Sequence, residues 1–234
     1  MRMLMLSVDS SAAPASVCLT ENGRIIADYY LNTGFTHSQT LMAMTESVLT
    51  ISGKKADEID VYAVNNGPGS FTGVRIGVSA VKGMAFATNK PCIAVSTLLS
   101  MAYNCLGNHC IVSACMDARR QQVYNAVFRV SGLKVERLTE DRAIAIDDLI
   151  RELDTYSDPV MLVGDGAELV SRAVQSDNIV LAPEQIRFQR AASTAAAALE
   201  AYNRGEILSP AALMPSYLRL SQAERERNAK QKGK

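Results

Sequence analysis

Two histidines, His37 and His109, carry all the imidazole chemistry of this chain. Neither is followed by a histidine at the fourth position, where a helix would bring a second ring to the same face, and no HExxH element occurs. A metallopeptidase is therefore not expected. The cysteines, Cys18, Cys92, Cys105, Cys110 and Cys115, are odd in number and include no CxxC pair, which suits reduced, buried thiols better than a disulfide framework. Cys105, Cys110 and Cys115 are evenly spaced around His109, a pattern that would interest a zinc ion. Residues 110–116 read as a strand, however, and there an offset of five sends Cys110 and Cys115 to opposite faces. No metal site is expected.

The sharpest motif is Asn66-Gly67-Pro68-Gly69-Ser70-Phe71-Thr72-Gly73-Val74-Arg75-Ile76-Gly77. It joins a strand to a helix, where anions commonly meet a helix N-terminus. It is not a phosphate-binding P-loop, because the first lysine after Gly67 is Lys82. It is not a dinucleotide fingerprint either, because Thr72 stands where the third glycine belongs.

The elements that must position these residues are legible twice over. Residues 3–9, 15–20 and 24–31 read as three strands, turning near Ala13-Pro14 and at Glu21-Asn22-Gly23. Thr36 and Gln39 fit a capping box for a helix through Ile51, whose apolar stripe is Leu41, Met44, Val48 and Ile51. A strand at 61–64, the glycine-rich loop, a helix at 71–88, a strand at 92–95 and a helix capped by Ser96 complete a βββαβαβα order. The second half repeats it: strands at 110–116, 122–130 and 133–139, a helix from about Asp147, a strand at 160–163, a helix after Gly166, a short strand near Ile179 and a helix over 191–203. A repeated βββαβαβα unit is the α/β, duplicated ribonuclease-H-like architecture of the actin-like ATPases and sugar kinases (ASKHA), an analogy that fixes no function. It divides the chain into an N-terminal lobe over 1–105 for partner binding, a C-terminal lobe over 106–218 whose 191–203 helix is expected to pack back on the first, and a basic flexible tail over 219–234.

Asp9 and Asp117 occupy equivalent places, each ending the first strand of its half. In an actin-like ATPase the turns that follow wrap phosphate with backbone N–H groups, and glycine lets the backbone come close. Here the first turn is Asp9-Ser10-Ser11-Ala12-Ala13, small and hydroxyl-rich, so Asp9, Ser10 and Ser11 are the candidate cofactor-binding residues of a vestigial phosphate loop. The second, Asp117-Ala118-Arg119-Arg120-Gln121, has no glycine and sets two long cations at the turn, which argues against a standard nucleotide cleft. The simpler alternative is a pair of tight hairpins whose aspartates accept local backbone N–H groups. No cofactor is expected beyond weak nucleotide binding.

In the 71–88 helix, Gly73, Gly77, Ala80, Met84 and Ala87 share a small-residue face that would let a second helix approach closely. Each helical glycine costs about 1 kcal/mol relative to alanine, so some contact must compensate. The preceding helix carries Met42 and Leu49 beside its core stripe, leaving one side for the sheet and another for a partner. A helix-mediated interface is favoured over core packing.

Composition narrows the class. With 24 basic and 24 acidic side chains in 234 residues, and 48% hydrophobic residues, the chain buries a sizeable core and is not disordered. Asp9 interrupts the N-terminal apolar run and no small-residue cleavage site follows, so a cytoplasmic protein is expected. The tail, with Arg219, Arg225, Arg227, Lys230, Lys232 and Lys234 against Glu224 and Glu226, leaves a slightly acidic body. That makes it the one obvious candidate in the sequence for contact with RNA.

Val-Asp-Ser at 8–10, His-Ser-Gln-Thr-Leu at 37–41, Gly-Pro-Gly-Ser-Phe-Thr-Gly-Val-Arg-Ile-Gly at 67–77, Ala-Val-Ser-Thr-Leu at 94–98, Asp-Ala-Arg at 117–119, Gly-Asp-Gly-Ala at 164–167 and Pro-Ser-Tyr-Leu-Arg at 215–219 resemble the TsaB (YeaZ) family, from Met3 to Arg219. The resemblance implies a non-catalytic paralogue of TsaD, the transferase that places a threonylcarbamoyl group on N6 of the adenosine beside the anticodon in tRNAs reading A-starting codons. It implies a heterodimer with TsaD, docking of the ATPase TsaE on the pair, a homodimer when alone, and contact with tRNA through the complex. The metal site of TsaD uses two histidines four residues apart; here Leu41 follows His37 and Ser113 follows His109 at that offset. The candidate interface is then His37, Leu41, Met42, Thr45 and Leu49 on one helix and Gly73, Arg75, Gly77, Ala80 and Met84 on the next. Arg75 is either an anchor of that interface or half of a local salt bridge. Members are often labelled glycoproteases, so an actin-like ATPase or a glycoprotease-type peptidase using Asp9 and Asp117 is the competing reading.

Overall fold

The computed structural model describes residues 2–219; the basic stretch expected beyond Arg219 lies outside the described residues. Two sheets with the same strand order form the framework. In the first, β1 (Leu4–Asp9) pairs antiparallel with β2 (Ala15–Glu21), which pairs with β3 (Arg24–Leu31), and on its other side runs parallel to β4 (Val61–Gly67) and then β5 (Cys92–Ser96). In the second, β6 (His109–Asp117) sits between antiparallel β7 (Gln122–Ser131) and parallel β10 (Val160–Val163), with β11 (Ile179–Leu181) beyond. This is the duplicated ribonuclease-H-like fold of the actin-like class, with β1 and β6 as equivalent central strands.

Local chemistry sets the helix starts. For α1 (His37–Ile51), Gln39 Oε1 accepts from Thr36 N at 3.3 Å and from its Oγ1 at 2.8 Å. For α2 (Phe71–Thr88), Ser70 Oγ accepts from Gly73 N at 3.2 Å, and Asn89 ends the helix in the left-handed region at φ 53°. Ser96 Oγ accepts from Leu99 N at 3.3 Å to open α3 (Thr97–Ala102).

The second half departs from its sequence reading at one strand. The expected strand over 133–139 is shortened to β8 (Lys134–Arg137) and is followed by a strand that was not expected, β9 (Arg142–Ala145); the two pair with opposite ends of the long β7. Thr139 makes the break, because its Oγ1 accepts from Val127 N at 2.8 Å in place of a strand carbonyl. The helix α4 (Ile146–Leu153) follows directly. After α5 (Ala167–Ser171) comes a single turn, α6 (Glu184–Arg187), too short to show a period in sequence.

Both central strands are covered on both faces, which is why they read as continuous apolar runs. On one side of the first sheet, Leu41, Met44 and Val48 of α1 and Val74, Val78 and Val81 of α2 pack on Leu4, Leu6 and Val8. On the other side lies α7 (Ala191–Asn203), whose Ala195, Ala197, Ala198 and Ala201 let it settle closely on Met5, Ala63, Ile93 and Val95. The chain then stays with the first sheet: Leu208 and Cys92 exchange backbone hydrogen bonds at 2.8 Å, and Leu213 is fully buried in the α1–α2 core. All five cysteines are free and buried. Cys110 and Cys115 pack in different clusters on opposite faces of β6, and burial pushes the Cys105 thiol up to about 12 and that of Cys115 to about 11. No described helix is long and apolar enough to cross a membrane.

Candidate functional site

The equivalent turns after β1 and β6 face each other across a cleft of 660 Å³, completed by the starts of α1 and α2 and by Asp165. The two aspartates do the same local work. Asp9 Oδ1 accepts from Ser11 N at 2.7 Å, and Asp117 Oδ1 accepts from Arg119 N at 2.7 Å. In both turns the aspartate thus accepts a local backbone N–H group, as the simpler alternative expects.

Asp9 goes further. Its Oδ1 also accepts from Ser11 Oγ at 2.7 Å, Asn65 Nδ2 donates to its Oδ2, and its side chain is 1% exposed. Burial raises its pKa, against the pull of the Ser11 and Asn65 hydrogen bonds. Asn65 is a partner that sequence reasoning missed; its only signal is a polar residue at the end of a buried strand. Ser10 turns away from the cleft, donating from Oγ to Gly73 O at 2.8 Å, and Ser11 O accepts from Ser70 N at 2.7 Å. The expected phosphate loop, Asp9, Ser10 and Ser11, is thus buried and clamped to the start of α2.

That clamp explains the glycine-rich motif and corrects part of the expected interface. A Cβ at Gly69 would lie 2.3 Å from Ser11 O, one at Gly73 2.1 Å from Ser10 O, and one at Gly77 2.4 Å from Ser10 Oγ. The glycine face of α2 is filled by the protein's own first turn, so Gly73 and Gly77 cannot meet a partner helix. Leu41 and Thr45 are likewise buried, Leu41 in the first core and Thr45 with its Oγ1 donating to Leu41 O at 2.9 Å. Leu49, Ala80 and Met84 are partly buried against the same core. Among the ten expected positions, Met42 and Arg75 face solvent, Met42 with 51% of its surface exposed. Phe86, on α2, is 57% exposed and was not expected.

His37 is half-buried, and its Nε2 donates to Ala12 O at 2.7 Å. The ring nitrogen nearest the cleft turn is spent on the backbone, and the residue four positions on, Leu41, lies in the core. Among the described residues Arg75 makes no salt bridge; it lies 3.8 Å over the Phe71 ring and donates from Nε to Tyr217 Oη at 2.7 Å.

On the second turn, Arg119, Arg120 and Gln121 all adopt left-handed backbone, with φ of 64°, 58° and 57°. Each such non-glycine residue costs roughly 1–2 kcal/mol. Arg119 Nη1 lies 3.2 Å from Asp117 Oδ2. Asp165 sits between Gly164 and Gly166, both pressed against the end of β6, where a Cβ at Gly164 would lie 2.0 Å from Cys115 O. The cleft walls deprive the Asp165 carboxylate of water and push its pKa up to about 6, with Asp117 contributing in the same direction, although the side chain remains open to the cleft.

The comparisons with known proteins agree on one family. The model of the family described as TsaD, tRNA N6-adenosine threonylcarbamoyltransferase, matches residues 33–230. The chain belongs to this family, in its TsaB (YeaZ) branch. It is 29% identical over 220 residues to the tRNA threonylcarbamoyladenosine biosynthesis protein TsaB of Escherichia coli, covering 93% of this chain and 95% of that one. The Bacillus subtilis protein of the same name is 29% identical over 226 residues, covering 95% and 96%. The solved structure of YeaZ from Pseudomonas aeruginosa superposes with a TM-score of 0.79 at 27% identity, covering 92% of this chain and all of that one. The similarity therefore runs through both sheets.

Proposed function

We propose that this TsaB-family chain is a non-catalytic scaffold subunit of the tRNA threonylcarbamoyladenosine machinery. It binds a TsaD-type transferase through the outward face of α1 and α2, where Met42 and Phe86 are exposed. The transferase carries out the transfer to N6 of the adenosine beside the anticodon, TsaE docks on the pair, and the chain closes a homodimer when alone. It works in the cytoplasm without a cofactor of its own.

The observation that carries this reading is the fate of the chemistry-bearing positions. Asp9 spends both carboxylate oxygens on Ser11 and Asn65, His37 spends Nε2 on Ala12, and Leu41 stands where a second metal-binding histidine would be. These hydrogen bonds hold the first turn against α2 and commit the Asp9 carboxylate to the fold.

Mixing the purified chain with its cognate TsaD-type transferase tests the proposal. A stable heterodimer that restores modification of unmodified tRNA is expected, with no ATP turnover by the isolated chain. The competing ATPase reading has the open cleft in its favour. ATP hydrolysis by the isolated chain that disappears in Asp9→Ala would establish it instead.

A further inference from the structure

The mouth of the cleft gathers cations from three distant parts of the sequence. After α7 the chain runs as a strap across α2. Lys82 Nζ donates to Ala211 O at 3.1 Å and to Leu213 O at 3.3 Å, Asn66 Nδ2 donates to Met214 O at 3.1 Å, and Ser216 N donates to Asn66 O at 2.7 Å. Tyr217 then stacks on Phe71 with ring centres 4.7 Å apart and receives Arg75. The strap ends on the other sheet, where Arg219 Nη1 donates to Ala118 O at 3.1 Å and the guanidinium lies 5.8 Å over the Tyr124 ring.

Ala118 is followed by Arg119 and Arg120, both exposed on the left-handed turn. Arg75, Arg219, Arg119 and Arg120 are thereby joined through one line of contacts along the cleft mouth. Asp117 offsets part of the Arg119 charge, and Asp165 lies inside the same cleft.

The arrangement suits a ligand with several spaced phosphates. Guanidinium forks match phosphate oxygens, and the cations are spread along an open surface instead of converging on one point. The exposed Tyr217 ring beside them suits a nucleic acid better than a polycarboxylate. We propose that this arginine face binds the phosphodiester backbone of tRNA. The choice of tRNA rests on the scaffold reading above; the phosphate chemistry rests on the arginines alone.

Arg119 and Arg120 are the residues to change, since both are exposed. Binding of an unmodified tRNA transcript is followed by fluorescence anisotropy between about 50 and about 300 mM salt, for the complex with the transferase and for the chain alone. The double variant R119Q/R120Q is expected to bind about tenfold more weakly at low salt, and its slope of log affinity against log salt is expected to fall by about 2, one per arginine. R119K/R120K is expected to keep most of the slope. An R119Q/R120Q protein that melts with the parent and keeps its affinity and slope overturns the proposal. So does a variant that weakens the heterodimer while the preassembled complex binds tRNA unchanged, which assigns the arginines to an acidic face of the partner. If the parent chain forms no heterodimer, the scaffold reading fails, and the titration of the chain alone decides this one: salt-dependent binding lost in R119Q/R120Q supports it, and no binding overturns it.

Discussion

Gly73→Ala and Gly83→Ala introduce the same methyl group into the same helix and are expected to move stability in opposite directions. At Gly83 nothing lies within 4 Å of the new Cβ, so the change only improves helix propensity. About 1 kcal/mol of stabilisation is expected, a rise of about 2–4 °C in melting temperature for a chain of this size. At Gly73 the new Cβ stands 2.1 Å from Ser10 O, a backbone atom in a turn whose neighbouring Asp9 is buried and hydrogen-bonded from three donors. Either α2 or the turn must shift by an ångström or so. Overpacking of that kind costs up to about 3 kcal/mol. Disturbing the Ser10 Oγ bond to Gly73 O adds about 1 kcal/mol, and helix propensity returns about 1. The net loss is about 3 kcal/mol, a fall of about 6–12 °C. Thermal and urea unfolding followed by circular dichroism measure both variants. A Gly73→Ala protein as stable as the parent would refute the internal clamp and restore the glycine face as a surface for a partner.

Three further outcomes follow from the same geometry. Met42→Asp and Phe86→Asp, both at exposed positions, should each weaken association with the transferase at least about tenfold by burying an unpaired charge, while shifting the melting temperature by less than about 2 °C; unchanged association in analytical ultracentrifugation would remove the α1–α2 face from the proposal. Leu213→Ala, at a fully buried position of the strap, should cost about 2–5 kcal/mol although it lies only 21 residues from the chain end, and a loss under about 1 kcal/mol in urea unfolding would mean that the strap is not part of the core. The folded-state pKa of Asp165, raised to about 6 by the cleft walls, means that the fold favours its protonated form; its contribution is complete below about pH 4 and is lost as pH rises through about 6. Asp165→Asn should therefore gain on the parent in melting temperature between about pH 4 and about pH 7. A difference that is flat with pH would show the carboxylate to be ordinary.

The duplicated order of strands and helices was legible because hydrophobic period and turn chemistry are local properties. Thr36 with Gln39, Ser70 before the glycines, and Ser96 each announced a helix start, and the offset of five between Cys110 and Cys115 placed them on opposite faces of a strand. The early end of the third strand in the second half and the extra strand β9 after it were not legible, because Thr139 breaks the ladder only by reaching Val127, twelve residues away.

For the site, sequence determined which residues are scarce: two histidines without a neighbour at the fourth position, and two aspartates at equivalent strand ends. It also flagged the glycines of α2 as needing a close contact. It could not say with what, because a glycine face accommodates a partner helix and an internal turn equally well. Only the tertiary structure decided that question, by laying Ser10 and Ser11 along α2 and leaving no room beside Gly73 and Gly77. The gathering of Arg75, Arg119, Arg120 and Arg219 was equally beyond the sequence. Those residues lie up to 144 positions apart, and what brings them together is a strap held by Leu213, Ser216 and Tyr217 through contacts that carry no local period.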